Sequence, residues 1–137
     1  MTVVVKIGGL PEILDLEHLW HDLECRSRGG FFVSWSWIGV WLANIPQGWP
    51  LRLIRAEKDG RIVGLGILAG GESKKICNVP YCATEHLHET GVRELDMVIE
   101  HNDFLLDASC ETEVRSEMIR QWLKQVSRVS ELSVPGT

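Results

Sequence analysis

Residues 51–68 read Leu-Arg-Leu-Ile-Arg-Ala-Glu-Lys-Asp-Gly-Arg-Ile-Val-Gly-Leu-Gly-Ile-Leu. Asp59-Gly60 falls between two apolar-rich runs. A two-residue type I′ turn needs positive φ at both central positions, and Asp-Gly is among the few pairs that tolerate it. The stretch is therefore read as a β-hairpin, Leu51–Lys58 against Arg61–Leu68, and it commits the chain to antiparallel sheet. The glycines of Gly64-x-Gly66-x-x-x-Gly70-Gly71 superficially suggest a nucleotide loop. Their spacing fails the dinucleotide fingerprint, and they lie within a strand rather than at a strand-to-helix turn. Close approach of neighbouring groups to the strand accounts for them.

Working outward, Val3-Val-Val-Lys-Ile7 is a β-branched run ended by Gly8-Gly9 and reads as an opening strand. From Asp15 the period changes. Leu16, Leu19, Trp20 and Leu23 recur at helical spacing, which predicts an amphipathic helix over Leu16–Arg28, capped by Asp15 and stopped by Gly29-Gly30. Ser34 is placed to cap a second, short helix carrying Trp37, Ile38, Trp41 and Leu42, and Pro46, Gly48 and Pro50 end it. Beyond the hairpin, Gly70-Gly71 turns the chain into a third strand of the same meander, Lys75–Cys82, with Pro80 marking an edge, an end or a bulge. Thr84–Gly91 reads as a loop. Leu95–Leu106 is apolar without a clean period and fits helix or strand. Ser109 or Thr112 opens a last helix whose stripe is Val114, Met118, Trp122 and Val126, widened by Ile119 and Leu123. Glu131–Val134 closes the chain as a short strand. The expected fold is α+β and mainly antiparallel: strand, two helices, three-strand meander, helix, strand, in one domain over residues 1–137.

The hydrophobic fraction of 45% and the charged fraction of 24% are ordinary for a globular chain, which excludes disorder. A net charge of −5, with 14 basic residues scattered among 19 acidic ones, argues against a nucleic-acid binder. No signal peptide and no apolar run of spanning length is visible, so no membrane partner is expected. Cys25, Cys77, Cys82 and Cys110 are then expected as free thiols in a reducing cytoplasm. Six tryptophans are many for this length. Most should be core; an exposed subset drawn from Trp35, Trp37, Trp41 and Trp49, with His86 nearby, would form a binding surface.

Phe32-x-Ser34-x-x-Trp37-x-x-x-Trp41, then the hairpin Ala56-Glu57-x-Asp59-Gly60-Arg61-Ile62-Val63-Gly64, is similar to the N-terminal part of CelD-like proteins. These are GNAT-superfamily proteins associated with cellulose biosynthesis. Thr90-Gly91…Leu95-Asp96…Ile99-Glu100-His101-Asn102-Asp103-Phe104-Leu105 resembles a later segment of the same family. The resemblance runs from about Asp15 onward and implies a GNAT-like half-fold with acetyl-CoA or another acyl-CoA as cofactor if the chain is an enzyme. The chain departs from the family at the acyl-CoA signature, Gln/Arg-x-x-Gly-x-Gly/Ala entering a helix. Its last helix is preceded by Asp107-Ala-Ser-Cys-Glu-Thr, glycine-free and acidic, a poor cradle for phosphate.

Three functions follow as expectations. The first is a GNAT-like binding or oligomerisation module, a homodimer with no cofactor and a possible small-molecule or protein partner. Leaving a sheet edge uncovered favours that self-association. The second is an acyl-CoA-dependent N-acyltransferase on an unknown amine, with Glu100 or His101 as base and Tyr81 as proton donor. Glu100 and His101 are adjacent and face opposite sides of a strand, whereas Glu100 and Asn102 share a face; the structural alternative is that this pair holds a loop by hydrogen bonding. The third is a small zinc domain using Cys77, Cys82, His86 and His88. His18 and His21 read as a solvated helix face. No nucleophile elbow, Walker loop or His-Glu-x-x-His is present.

Overall fold

The hairpin forms where the sequence places it. Strands β2 (Leu51–Lys58) and β3 (Arg61–Gly70) pair antiparallel from Leu51↔Ala69 to Lys58↔Arg61. Asp59 and Gly60 adopt φ of 54° and 75°, as a type I′ turn requires. The computed structural model describes residues 2–70, 74–76, 79–81, 85–90, 92, 96, 101–125 and 132–133. The register shifts between Ala56 and Glu57, which leaves Val63 as an extra residue on β3. This bulge turns both Val63 and Gly64 toward the same helix.

Strand β1 (Val4–Gly9) pairs antiparallel with β2. The far edge of β3 is shared by β6 (Glu85–Leu87) and the two-residue β7 (Leu105–Leu106), both antiparallel to it. Strand β8 (Leu132–Ser133) then adds parallel to β6, giving the order β1-β2-β3-β6-β8. Two expectations change here. Among the described residues Lys75–Cys82 is not a third strand of the meander: β4 (Lys74–Ile76) and β5 (Val79–Tyr81) pair with each other in a separate two-stranded sheet. Pro80 has no N–H to give a ladder, so this run is unsuited to the interior of the main sheet. The place beside β3 goes instead to Glu85–Leu87, expected as loop, where Leu87 alternates into the core opposite Leu68.

Helices cover both faces. Helix α1 (Ile13–Glu24) and helix α2 (Trp35–Ala43), joined through a 3₁₀ turn at Phe31–Val33, bury Leu16, Trp20, Leu23, Ile38 and Trp41 against Leu53, Leu65 and Ile67. On the opposite face, helix α3 (Glu111–Gln125) lays Val114, Met118 and Trp122 on Ile54, Ala56 and Leu68. The α+β, mostly antiparallel class is as expected. Helix α1 starts earlier than Asp15 and ends before Arg28, with Glu12 and Cys25 as its flanking residues. Asp15 lies in the first turn, where its charge favours the helix N-terminus without capping it. Ile119 and Leu123 do not widen the α3 stripe: they are 39% and 56% exposed. Among the described residues no helix is long and apolar enough to cross a membrane.

The glycines of β3 are explained by contact. A Cβ at Gly66 would stand 2.7 Å from Phe104 Cδ1 and 3.1 Å from both Ile54 Cγ2 and Leu87 Cδ1. One at Gly64 would stand 2.8 Å from Val114 Cγ1. Gly66→Ala is therefore expected to destabilise by about 1–3 kcal/mol through overpacking. A lowered denaturant midpoint with unchanged m-value is the readout, and an unchanged midpoint would refute the close-packing account.

Candidate functional site

His88 follows β6 with φ of 58°, a left-handed conformation uncommon for residues other than glycine. Its N–H donates to Ile67 O at 2.9 Å, which swings the ring under α1 and α2. There it stands edge-on to Trp20 and Trp41, with ring centroids 5.9 and 6.4 Å away. Asn102 fixes its tautomer. The Asn102 amide donates Nδ2–H to Leu87 O at 2.9 Å, and a carbonyl can only accept. Its Oδ1 is therefore the atom 3.0 Å from His88 Nδ1, and Nδ1 carries the proton. Among the described residues His88 Nε2, a buried acceptor, and Trp41 Nε1, a buried donor, have no hydrogen-bond partner. Burial pushes the imidazole down to about 4, outweighing the Asn102 hydrogen bond and the charge of Asp103. The ring is a neutral, enclosed group at neutral pH.

Asn102 also reaches the surface side of this node. It lines a cleft of about 420 Å³ between the Ser27–Gly30 loop and the Asn102–Phe104 segment, with Val33, Phe104 and Leu106 as apolar walls. His101 stands exposed in the cleft lining. The charged groups there are paired. Asp103 bonds the Arg115 guanidinium at 2.6 Å, and Arg28 lies 3.2 Å from Glu111.

The far side of the cleft leads to the start of α3. Asp107, on an isolated bridge with Ser27, accepts from Ser109 N–H at 2.9 Å and from Ser109 Oγ at 2.7 Å. Arg26 Nη1 lies 2.7 Å from its other oxygen. Burial alone would raise the Asp107 carboxyl. The Ser109 hydrogen bonds and the Arg26 charge prevail and hold it below the ordinary carboxylate value. A carboxylate of the chain itself therefore occupies the turn into α3, with Glu111 and Glu113 in the first helical turn.

Of the residues singled out in the sequence, His101 lines the cleft and His88 is a core group. Trp41 is 1% exposed and belongs to the core, not to a binding surface. A nine-residue helix on a sheet must turn its bulkiest in-facing ring inward, and truncating such a ring costs about 3–5 kcal/mol. Trp35, Trp37 and Trp49 are half-buried: Trp35 lies against Gly39 and Trp20, Trp37 packs with Phe32, and Trp49 Nε1 donates to Gly70 O. His86 sits on β6 opposite Ala69, half-buried. Tyr81 lies on β5, while Glu100, Cys77 and Cys82 fall outside the described residues. No group of three or more His, Cys, Asp or Glu able to hold a metal occurs among the described residues. Asn102 does hold its segment by hydrogen bonding, to Leu87 O and to His88, while Glu100, the other half of the expected pair, lies outside the described residues. The Asn102–His88 and Arg26–Asp107 contacts join residues 14 and 81 positions apart, and no motif spacing announces either.

Comparison with known proteins returned no match: no family model, no curated protein and no solved structure is similar to this chain.

The His88 site sets a pH dependence with a definite sign. The folded-state value, about 4, lies below the ordinary value of 6.5, so the unfolded chain takes up the proton first. Stability should therefore fall as pH drops from about 7 to about 4, by about 3 kcal/mol in all, and be insensitive to this group below that. Glu89, raised by burial and by Asp96, acts in the opposite sense. The measurement is thus the difference between wild type and His88→Gln in denaturant stability at pH 7 and pH 5, and wild type should show the steeper loss.

Proposed function

We propose that this chain is a GNAT-like binding and oligomerisation module that does not itself transfer acyl groups. The observation carrying this reading is the start of α3. A helix N-terminus is where backbone N–H groups would hold the pyrophosphate of an acyl-CoA. Here Asp107 stands at that turn, ionised and tied to Ser109 and Arg26, with Glu111 and Glu113 beside it. An incoming diphosphate would meet three carboxylates, Asp107, Glu111 and Glu113, and be repelled by them. The enclosed imidazole supports the same reading. His88 is buried, its Nδ1–H engaged and its basicity lowered, so it is not available to deprotonate an amine in the cleft.

The cleft beside Asn102 is the place for a small-molecule partner, since it joins apolar walls to the polar edge of His101 and Asn102. One observation favours a second reading, an acyl-CoA-dependent N-acyltransferase: His101 is exposed in that cleft and is free of the burial that disables His88. Calorimetric titration of the full chain with acetyl-CoA and with CoA separates the two. No binding heat at micromolar protein is expected. Micromolar binding of either ligand would overturn the module reading and put His101 forward as the base, to be tested by His101→Ala turnover on an amine panel.

A further inference from the structure

From Gly29 to Leu51 the sequence holds no Asp, Glu, Lys, Arg or His, although charged residues make up 24% of the chain. Helix α2 lies inside this run. A helix that is apolar all round is ordinarily buried all round. Yet α2 buries only Ile38 and Trp41 and turns Ser36, Val40 and Ala43 to the outside, with Val40 52% exposed. Phe31, just before it, is 56% exposed and edge-on to Trp37 at 5.5 Å.

We infer that this uncharged face of α2, with Phe31 at its rim, is the contact surface for a second copy of the chain, related by a twofold axis. The inference rests on the oligomerisation reading above and locates it. The argument for a second copy is electrostatic. In a twofold contact a surface meets itself, so each charge is brought toward its own copy. A chain of net charge −5 has few surfaces that escape this penalty, and the outward side of α2, whose own residues carry no charge, is one. The outward side chains fit the same occupant. Ser36, Val40 and Ala43 are short, so two α2 helices can approach closely. They are poorly suited to burial in lipid, where aromatic and long aliphatic groups would be needed on the outward face. The outward part of α2 falls short of the about 20–30 residues on one side of a standard interface. The inward residues are already committed to the core, so the contact is smaller than standard and the dimer weak, in the micromolar range.

The test is sedimentation velocity on the full chain over a concentration series, for wild type, Val40→Glu and Val40→Lys. Val40 sits near the middle of a nine-residue helix, so a charge there lies near the axis and meets its copy. Wild type should move from monomer toward dimer through the micromolar range, and each variant should associate about a hundredfold more weakly. Unchanged melting temperatures would show that the variants are folded. An equimolar mixture of the two variants should regain a dimer, because Glu then meets Lys. A wild type that dimerises equally well as Val40→Glu would overturn this interface and leave the oligomerisation reading in place. A wild type that stays monomeric throughout would overturn both. Co-sedimentation of wild type with phosphatidylcholine vesicles, lost in Val40→Glu, would assign the face to lipid and also overturn the inference.

Discussion

The main sheet and the helices on its two faces are arranged around β3. Its residues from Val63 to Ala69 are all buried, so the strand has to be bonded along both edges and covered on both faces at once. The hairpin turn at Asp59-Gly60 supplies one edge immediately, at the smallest loop-closure entropy. The other edge has no local partner and is filled by two pieces from far along the chain, β6 and β7. Covering the faces constrains the sequence differently on each side. Toward α1 and α2, Leu65, Ile67 and Ala69 carry side chains that meet the helices. Toward α3 and Phe104, Gly64 and Gly66 carry none, so the neighbouring side chains come down onto the strand backbone. The strand is thus thick on one face and thin on the other, and the bulge at Val63 marks where the hairpin accommodates that asymmetry.

The same long-range closure creates the His88–Asn102 node. Once β6 is fixed beside β3, the chain leaves it by a residue in the left-handed region whose ring turns under Trp20 and Trp41. A polar ring in that position requires a hydrogen-bond partner from outside its own segment. Asn102 suits the task because its amide can accept from the ring and donate to Leu87 O simultaneously, joining the end of β6 to the segment that leads into β7. An Asp in its place could accept but not donate. A buried group bonded on one nitrogen only is a costly feature for a core, and here it lies directly behind the cleft wall.

The legibility of the sequence follows the range of the interactions. The hairpin and the buried stripe of α3 at Val114, Met118 and Trp122 were readable because each depends on neighbours within one element or on a local turn; Gly64 and Gly66 stood out as glycines inside a strand, although the side chains that press on them come from other elements. Strand β6 was not readable. Glu-His-Leu is three residues long and polar at two positions, and its place in the sheet comes from the vacant edge of β3 and from Arg52, which grips Glu85 with two nitrogens. Trp41 was misread as surface because helical spacing alone does not say which of several tryptophans on α2 turns inward. The candidate site was legible only in part: His101 and Asn102 stood out as a polar cluster, whereas the pairing of Arg26 with Asp107 depends on a bridge between Ser27 and Asp107 that only the folded chain brings together.

The treatment of helix N-termini bears most directly on what the chain can bind. A helix start is a ready anion site; a carboxylate of the chain sits on the first N–H of α2 and another on the turn just before α3. Glu24, the last residue of α1, turns its carboxylate onto the N–H of Trp35 at the start of α2. Asp107 does the equivalent for the turn into α3 through Ser109. In both cases the carboxylate comes from the preceding element, so capping the helix also fixes how that element meets it. The arrangement ties each helix start to the element before it. At α3 the same carboxylate also holds Arg26, so the turn into the helix and the residue before the Ser27–Gly30 loop are fixed by one group. One acidic side chain therefore serves both the helix start and the bridge to Ser27, which is why a substitution at Asp107 would disturb two elements at once.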